Sequence, residues 1–252
     1  MRFASLGSGS KGNATLVQAG KTTLMIDCGF SLRETTRRMQ RLGLSPEQLQ
    51  GVLVTHEHGD HCSGVGRLSA KYGIPVYLTH GTAATGRIEG AHQLNCFNAD
   101  DSFSIGDINV QTVTVPHDAA EPCQFRLAAG GRSLGILTDL GCITPHVLGH
   151  YRNCHSLLLE FNHDLEMLMA GEYPPQLKRR VGGDWGHLNN QQAADLLRQL
   201  ECADQLRHLV VAHISEKNNS RDCAERALAD VMGSMSPVVW AEQAEGFGWL
   251  EV

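Results

Sequence analysis

A chain of 252 residues is long enough to bury a large core as one domain. Its formal net charge of −6 argues against broad, charge-driven nucleic-acid binding, though not against a local cationic groove. No apolar run approaches a membrane span, no signal-peptide pattern opens the chain, and eight cysteines without a C-x-x-C pair point to a reduced, cytoplasmic protein.

The pattern predicts strands over Arg2–Leu6, Ala14–Ala19 and Thr22–Asp27, with a turn at Gly20. A helix follows, capped by Ser31 and Glu34 and ended by Gly43. Strand Val52–Thr55 then leads into a histidine-rich turn and a helix over Ser63–Tyr72. Strand Val76–Thr79 and a short helical piece near Ala83–Arg87 come next. Strands follow at Asn95–Phe97, Ser102–Ile105, Ile108–Val115, Cys123–Ala128 and Leu134–Thr138. The second half alternates: strand Ser156–Glu160, helices Asp164–Met169, Gln176–Val181 and Gln191–Leu200, strand His208–Ala212, helix Arg221–Met232, strand Val238–Trp240. Strands with helices in both halves suggest two sheets packed face to face with helices outside, as one domain over 1–252 and without internal sequence repeat.

The chemistry begins at Val52-Leu53-Val54-Thr55-His56-Glu57-His58-Gly59-Asp60-His61. Four strand-forming residues run into His-x-His-x-Asp-His, so side chains leaving a rigid strand end can converge. Imidazole nitrogens and a carboxylate are ligands that Zn²⁺ takes, and that Fe or Mn also accepts. Further donors stand just past other apolar strands: His117 after Ile108–Val115, Asp139 after Gly135–Thr138, His213 after Leu209–Ala212. Alone, each reads first as a capping or core polar residue. With the first cluster they complete two sites: His56, His58 and His117 around one ion, Asp60, His61 and His213 around the other, Asp139 bridging. His80, at the end of Val76–Thr79, is set aside.

Two divalent ions, two carboxylates and a bridging hydroxide leave a charge of about +1, which favours an anionic substrate such as a phosphodiester. Asp60 can accept the nucleophile's proton. His187 lies on the loop entering a helix, placed to protonate a leaving alkoxide, and Glu160 at a strand end can orient it; an exposed loop histidine is the competing reading.

Gly7-Ser8-Gly9-Ser10-Lys11-Gly12 matches the dinucleotide fingerprint, with Asp27 about twenty residues on, but the context fails. A Rossmann loop opens a helix, and Asn13-Ala14-Thr15-Leu16-Val17 reads as a strand. The loop is a tight connection from which Ser10, Lys11 and Asn13 could line the site. Asn162 and His163 are further candidate substrate contacts. Arg33, Arg37 and Arg41 form a stripe on the early helix, with Arg38 beside them; that stripe and Lys178-Arg179-Arg180 read either as solvated faces or as tracks for a nucleic-acid backbone.

These residues resemble the metallo-β-lactamase superfamily, which implies an α/β (α+β) four-layer αββα sandwich with a dimetal site at one edge of the two sheets. Asp139 stands where classical zinc β-lactamases carry Cys, so antibiotic hydrolysis is not expected. Leu6-Gly7-Ser8-Gly9-Ser10-Lys11-Gly12-Asn13, His117-Asp118-Ala119-Ala120-Glu121-Pro122, Thr138-Asp139-Leu140-Gly141, Glu160-Phe161-Asn162-His163-Asp164, Gly186-His187-Leu188-Asn189-Asn190 and Ala212-His213-Ile214-Ser215 resemble the YycJ/WalJ group. The resemblance implies a metal-dependent nuclease using a metal-bridging hydroxide, with 5′→3′ exonuclease action on DNA as the leading assignment. Resemblance to tRNase Z implies that His187, backed by Glu160, donates a proton and that His213 binds metal. Only 73 residues separate Asp139 from His213, too few for the clamp domain of RNase J-type nucleases, and no Gly/Pro-rich arm like that of tRNase Z is present, so DNA is favoured over RNA. Two divalent ions are implied, zinc first, with manganese or iron also suited. A small-molecule hydrolase acting on a thioester, lactone or cyclic phosphodiester is the rival, and oligomeric state stays open.

Overall fold

A computed structural model describes residues 1–200 and 205–252. Its strands are β1 (Arg2–Gly7), β2 (Ala14–Ala19), β3 (Thr22–Ile26), β4 (Gly51–Leu53), β5 (Pro75–Thr79), β6 (Gln93–Phe97), β7 (Ser102–Ile105), β8 (Ile108–Thr114), β9 (Cys123–Ala129), β10 (Arg132–Leu137), β11 (Ser156–Glu160), β12 (His208–Ala212), β13 (Val238–Trp240) and β14 (Phe247–Glu251). The helices are α1 (Leu32–Arg41), α2 (Gly59–Cys62), α3 (Val65–Tyr72), α4 (His80–Ala84), α5 (Pro145–Tyr151), α6 (Leu165–Ala170), α7 (Pro175–Val181), α8 (Asn190–Leu200) and α9 (Arg221–Ala229).

The strands form two seven-stranded sheets, ordered β14-β1-β2-β3-β4-β5-β6 and β13-β12-β11-β10-β9-β8-β7. Each sheet is antiparallel over one half and parallel over the other, changing at β3–β4 in the first and at β10–β11 in the second. Parallel strands need crossovers, and the helices that supply them cover the outer faces.

The strands' period-2 alternation decides which side chains meet. In β11, Leu158 joins the core between the sheets, while Leu157 and Leu159 pack outward with α5 and α8. In β12, Val210 points inward and Leu209 and Val211 outward. The first sheet does the same, with Leu24 and Ile26 inside and Met25 against Met39 of α1 and Leu68 of α3. The result is the four-layer αββα sandwich that the alternation implied.

Several expectations need adjustment. Strand β14, helix α5 and the short turn α2 inside the histidine cluster were not foreseen, and the helix expected over Ser63–Tyr72 begins at Val65 as α3. The helical piece placed near Ala83–Arg87 lies earlier, because the Thr79 side chain caps it by accepting from Thr82 N. The α1 arginines do not face the mouth described below. Arg37 pairs with Glu34, Arg41 with Glu245, and buried Arg38 reaches Leu6 O at 2.6 Å and Gln243 O at 3.0 Å. Seven of the eight cysteines fall among the described residues and are unpaired; Cys202 lies outside them. No helix among the described residues is long and apolar enough to cross a membrane.

Candidate metal centre

The C-terminal ends of β4, β10, β11 and β12, with the turn after β8, open on one rim of the sandwich. There the structure brings together His56, His58, Asp60, His61, His117, Asp139 and His213. Donor atoms lie within 4.8 Å of one another in His56, His58 and His117, in Asp60, His61 and His213, in His56, His61 and Asp139, and in His117, Asp139 and His187. Asp139 lies between the sets, with Oδ2 3.2 Å from His61 Nε2 and Oδ1 3.3 Å from His213 Nδ1 and 3.9 Å from His117 Nε2.

Hydrogen bonds behind the rings fix which nitrogen faces the centre. His117 Nδ1 donates to Gly186 O at 2.9 Å, leaving Nε2 inward. Asp27 accepts from Thr55 N at 2.8 Å, Thr55 Oγ1 at 2.9 Å and His61 Nδ1 at 2.8 Å. Since the Thr55 hydroxyl proton goes to Asp27, its oxygen accepts from His56 Nδ1, 2.9 Å away, and the His56 Nε2 lone pair is left for the centre. That atom, Asp139 Oδ2 and His213 Nδ1 are buried without a hydrogen-bond partner. Orphaned lone pairs cost about 1–3 kcal/mol each, so a cluster of them with nitrogen and oxygen donors fits a divalent cation.

The charges agree. Burial holds His56 well below the usual imidazole range, and Asp139 only partly offsets it. Burial also opposes a proton on His61 and His213, but Asp139 and its neighbours outweigh it; His61 moves well up and His213 to about 10. Burial would raise Asp139, yet His213 and His61 hold its carboxyl far below the ordinary range. Carboxylates this close favour positive charge on the ring side of the centre, and a divalent ion would supply it in place of protons.

Backbone strain accompanies the convergence. Asp27, Asp139 and His213 all adopt left-handed backbone, with φ of 58°, 55° and 52°. Such conformations cost of order 1–3 kcal/mol for a non-glycine residue and survive where surrounding contacts over-determine them. Gly29 shows how tight the packing is, since a Cβ there would lie 1.8 Å from Asp60 O.

Beside the donors lies a cavity of about 370 Å³ whose walls include Ser10, Tyr173, Asn162, Arg180 and His187. His187 Nδ1 donates to Glu160 Oε2 at 3.1 Å, and Glu160 Oε1 accepts from Leu140 N at 2.6 Å and Leu188 N at 3.2 Å. Burial pushes the Glu160 carboxyl up, but its contacts with His187 and His213 outweigh that and hold it at about 2. It is a fixed anion behind the ring.

The remaining candidate contacts divide. Ser10 and Asn162 line the cavity, and Asn162 Nδ2 also donates to His213 O at 3.1 Å. Lys11 is outside it, paired with Glu216 at 2.6 Å. Asn13 is buried, its N–H donating to Asp60 O at 2.8 Å and its side chain accepting from Gly9 N at 2.8 Å, so it braces the ligand loop instead of meeting substrate. His163 is fully buried and does not line the cavity. Of the basic triplet, Arg180 lines the mouth and bonds Asp118, whereas Lys178 Nζ is turned to Met169 O. Asp27 and Thr55 are not among the residues the sequence singles out as functional; the available signal is Asp27 at the end of an apolar strand, a position that also fits the false dinucleotide fingerprint.

A model of the β-lactamase superfamily domain matches residues 22–214, and the chain belongs to that superfamily. It is 35% identical over 236 residues to exodeoxyribonuclease YycJ of Bacillus anthracis, covering 92% of this chain and 89% of that protein. Exodeoxyribonuclease WalJ of Streptococcus pneumoniae is 32% identical over 237 residues, covering 91% and 87%. Among solved structures, the metallo-β-lactamase fold protein YhfI of Bacillus subtilis superposes over all of this chain and 98% of its own, with a TM-score of 0.77 at 17% identity. Zn²⁺-bound PqqB of Methylobacterium extorquens covers both chains fully, with a TM-score of 0.74 at 17% identity. These two share the fold.

Proposed function

We propose that this chain is a dinuclear-metal phosphodiesterase that degrades DNA as a 5′→3′ exonuclease. The observation that carries the reading is the meeting of seven nitrogen and oxygen donors beside His187, whose proton-bearing side is held by Glu160. Two similar proteins named exodeoxyribonucleases, each aligned over about nine-tenths of this chain, support DNA as substrate. His56, His58 and His117 would hold one ion and Asp60, His61 and His213 the other, with Asp139 shared; the all-N/O donor set suits Zn²⁺ first, and Mn²⁺ or Fe next. Bound there, two divalent ions lower the pKa of an attacking water and neutralise charge on the phosphoryl oxygens.

The protein's own residues do the rest. Asp60, its Oδ2 3.5 Å from both His61 Nε2 and His213 Nε2, borders the cavity and takes the proton of the attacking water. Arg180 brings a cation to the mouth for a phosphate of the strand. His187, anchored through Nδ1 to Glu160, turns Nε2 outward and protonates the departing alkoxide. Ser10 and Asn162 are left to contact the substrate.

End-labelled single- and double-stranded DNA and RNA, incubated with the Mn²⁺- or Zn²⁺-loaded protein, test this. Mononucleotides should leave DNA progressively from its 5′ end. His187→Ala should slow that reaction about 10²–10⁴-fold. It should scarcely affect p-nitrophenyl phosphodiesters, whose leaving group needs no proton. Intact DNA alongside rapid turnover of a thioester or lactone would transfer the site to small-molecule hydrolysis.

A further inference from the structure

A second group of donors stands apart from the mouth. On α5, His146 and His150 are one turn apart, with ring centroids separated by 4.5 Å. Asp100, in the connection between β6 and β7, faces them. Its Oδ1 lies 2.8 Å from His146 Nε2, and ligand atoms from all three residues fall within 4.8 Å of one another.

We propose that Asp100, His146 and His150 form a zinc site, distinct from the catalytic centre. The carboxylate is held in advance. Asp100 Oδ1 accepts from Thr114 N at 2.9 Å and Oδ2 from Thr114 Oγ1 at 3.1 Å, and its φ of 66° keeps it in left-handed backbone. Such bonds behind a ligand carboxylate orient it toward an ion. Zn–N and Zn–O bonds of about 2.0–2.2 Å place tetrahedral donors roughly 3.3–3.5 Å apart, so the observed spacing needs only small side-chain rotations. Two imidazoles and one carboxylate leave the fourth position to water, and the partial exposure of Asp100 and His146 gives the ion a way in. An ion here would tie the chain's crossing from the first sheet to the second onto α5, which packs on the outer face of the second sheet through Val147 and Tyr151.

The test is a count of Zn²⁺ bound per chain, by titrating the metal-free protein against a chromophoric chelator. His146→Ala/His150→Ala should bind one equivalent fewer than the wild type while hydrolysing p-nitrophenyl phosphodiesters at the same rate. Thr114→Val should keep the full count but weaken that equivalent, within the 10–100-fold range of lost supporting bonds. Equal numbers of equivalents in the double variant and the wild type would overturn the proposal. So would loss of metal from the catalytic centre alone, seen as a fall in hydrolysis that matches the missing equivalent.

Discussion

Strands β3 and β10 hold equivalent places in their sheets, each antiparallel to the strand before it and parallel to the next strand in its sheet. Each delivers the same short device: Asp27-Cys28-Gly29 after β3 and Asp139-Leu140-Gly141 after β10. Both aspartates have positive φ, and both glycines lie where a Cβ would strike backbone, Asp60 O at 1.8 Å and Asp184 O at 2.1 Å. Their uses differ. The Asp27 oxygens are taken up by Thr55 and His61, whereas Asp139 Oδ2 has no hydrogen-bond partner and faces His61 Nε2 across the centre at 3.2 Å. One half of the fold turns its aspartate into a brace for a ligand, and the other makes it a ligand. What stands opposite the strand end decides which: a threonine and a ring flank in the first case, the inward-facing imidazoles of His61, His117 and His213 in the second.

Mutation should separate the two aspartates most sharply at Asp139. Asp139→Asn removes the shared anion, and turnover should fall at least about 10³-fold, with metal content reduced and no recovery in excess metal. Asp27→Asn should lower metal affinity about 10–100-fold, and activity should return as the metal concentration is raised. Equal and unrecoverable losses would erase the distinction. Smaller effects belong to the glycines. Gly29→Ala and Gly141→Ala should each lower stability by roughly 1–3 kcal/mol in thermal unfolding, as overpacking does. Gly29→Ala should also weaken metal binding, because it displaces the backbone of Asp60.

Much of this was legible in the residues. Apolar runs gave nearly every strand, and strands deliver residues at their C-terminal ends, so His117, Asp139 and His213 could be singled out far from the histidine cluster. Strand β14 escaped because Gly248 and the flanking polar residues blur the alternation in Phe247–Glu251. Asp27 carried the strand-end signal that marked Asp139, but nothing in the spacing tells a brace from a ligand; that becomes visible only once β3 and β4 are adjacent. The repeated Asp-x-Gly device escaped for a related reason, since three residues repeat the backbone and almost nothing of the sequence around them. Lys11, Asn13 and His163 stand close in the chain to residues that line the cavity, but burial and ion pairing, not chain position, decide which side chains reach it.

The most direct test is a crystal of the metal-loaded protein, with the ions located by anomalous scattering. Two peaks about 3.5–4 Å apart are expected, one bound by His56, His58 and His117, the other by Asp60, His61 and His213, with Asp139 reaching both. A single ion, or two ions with Asp139 turned away from them, would contradict the account.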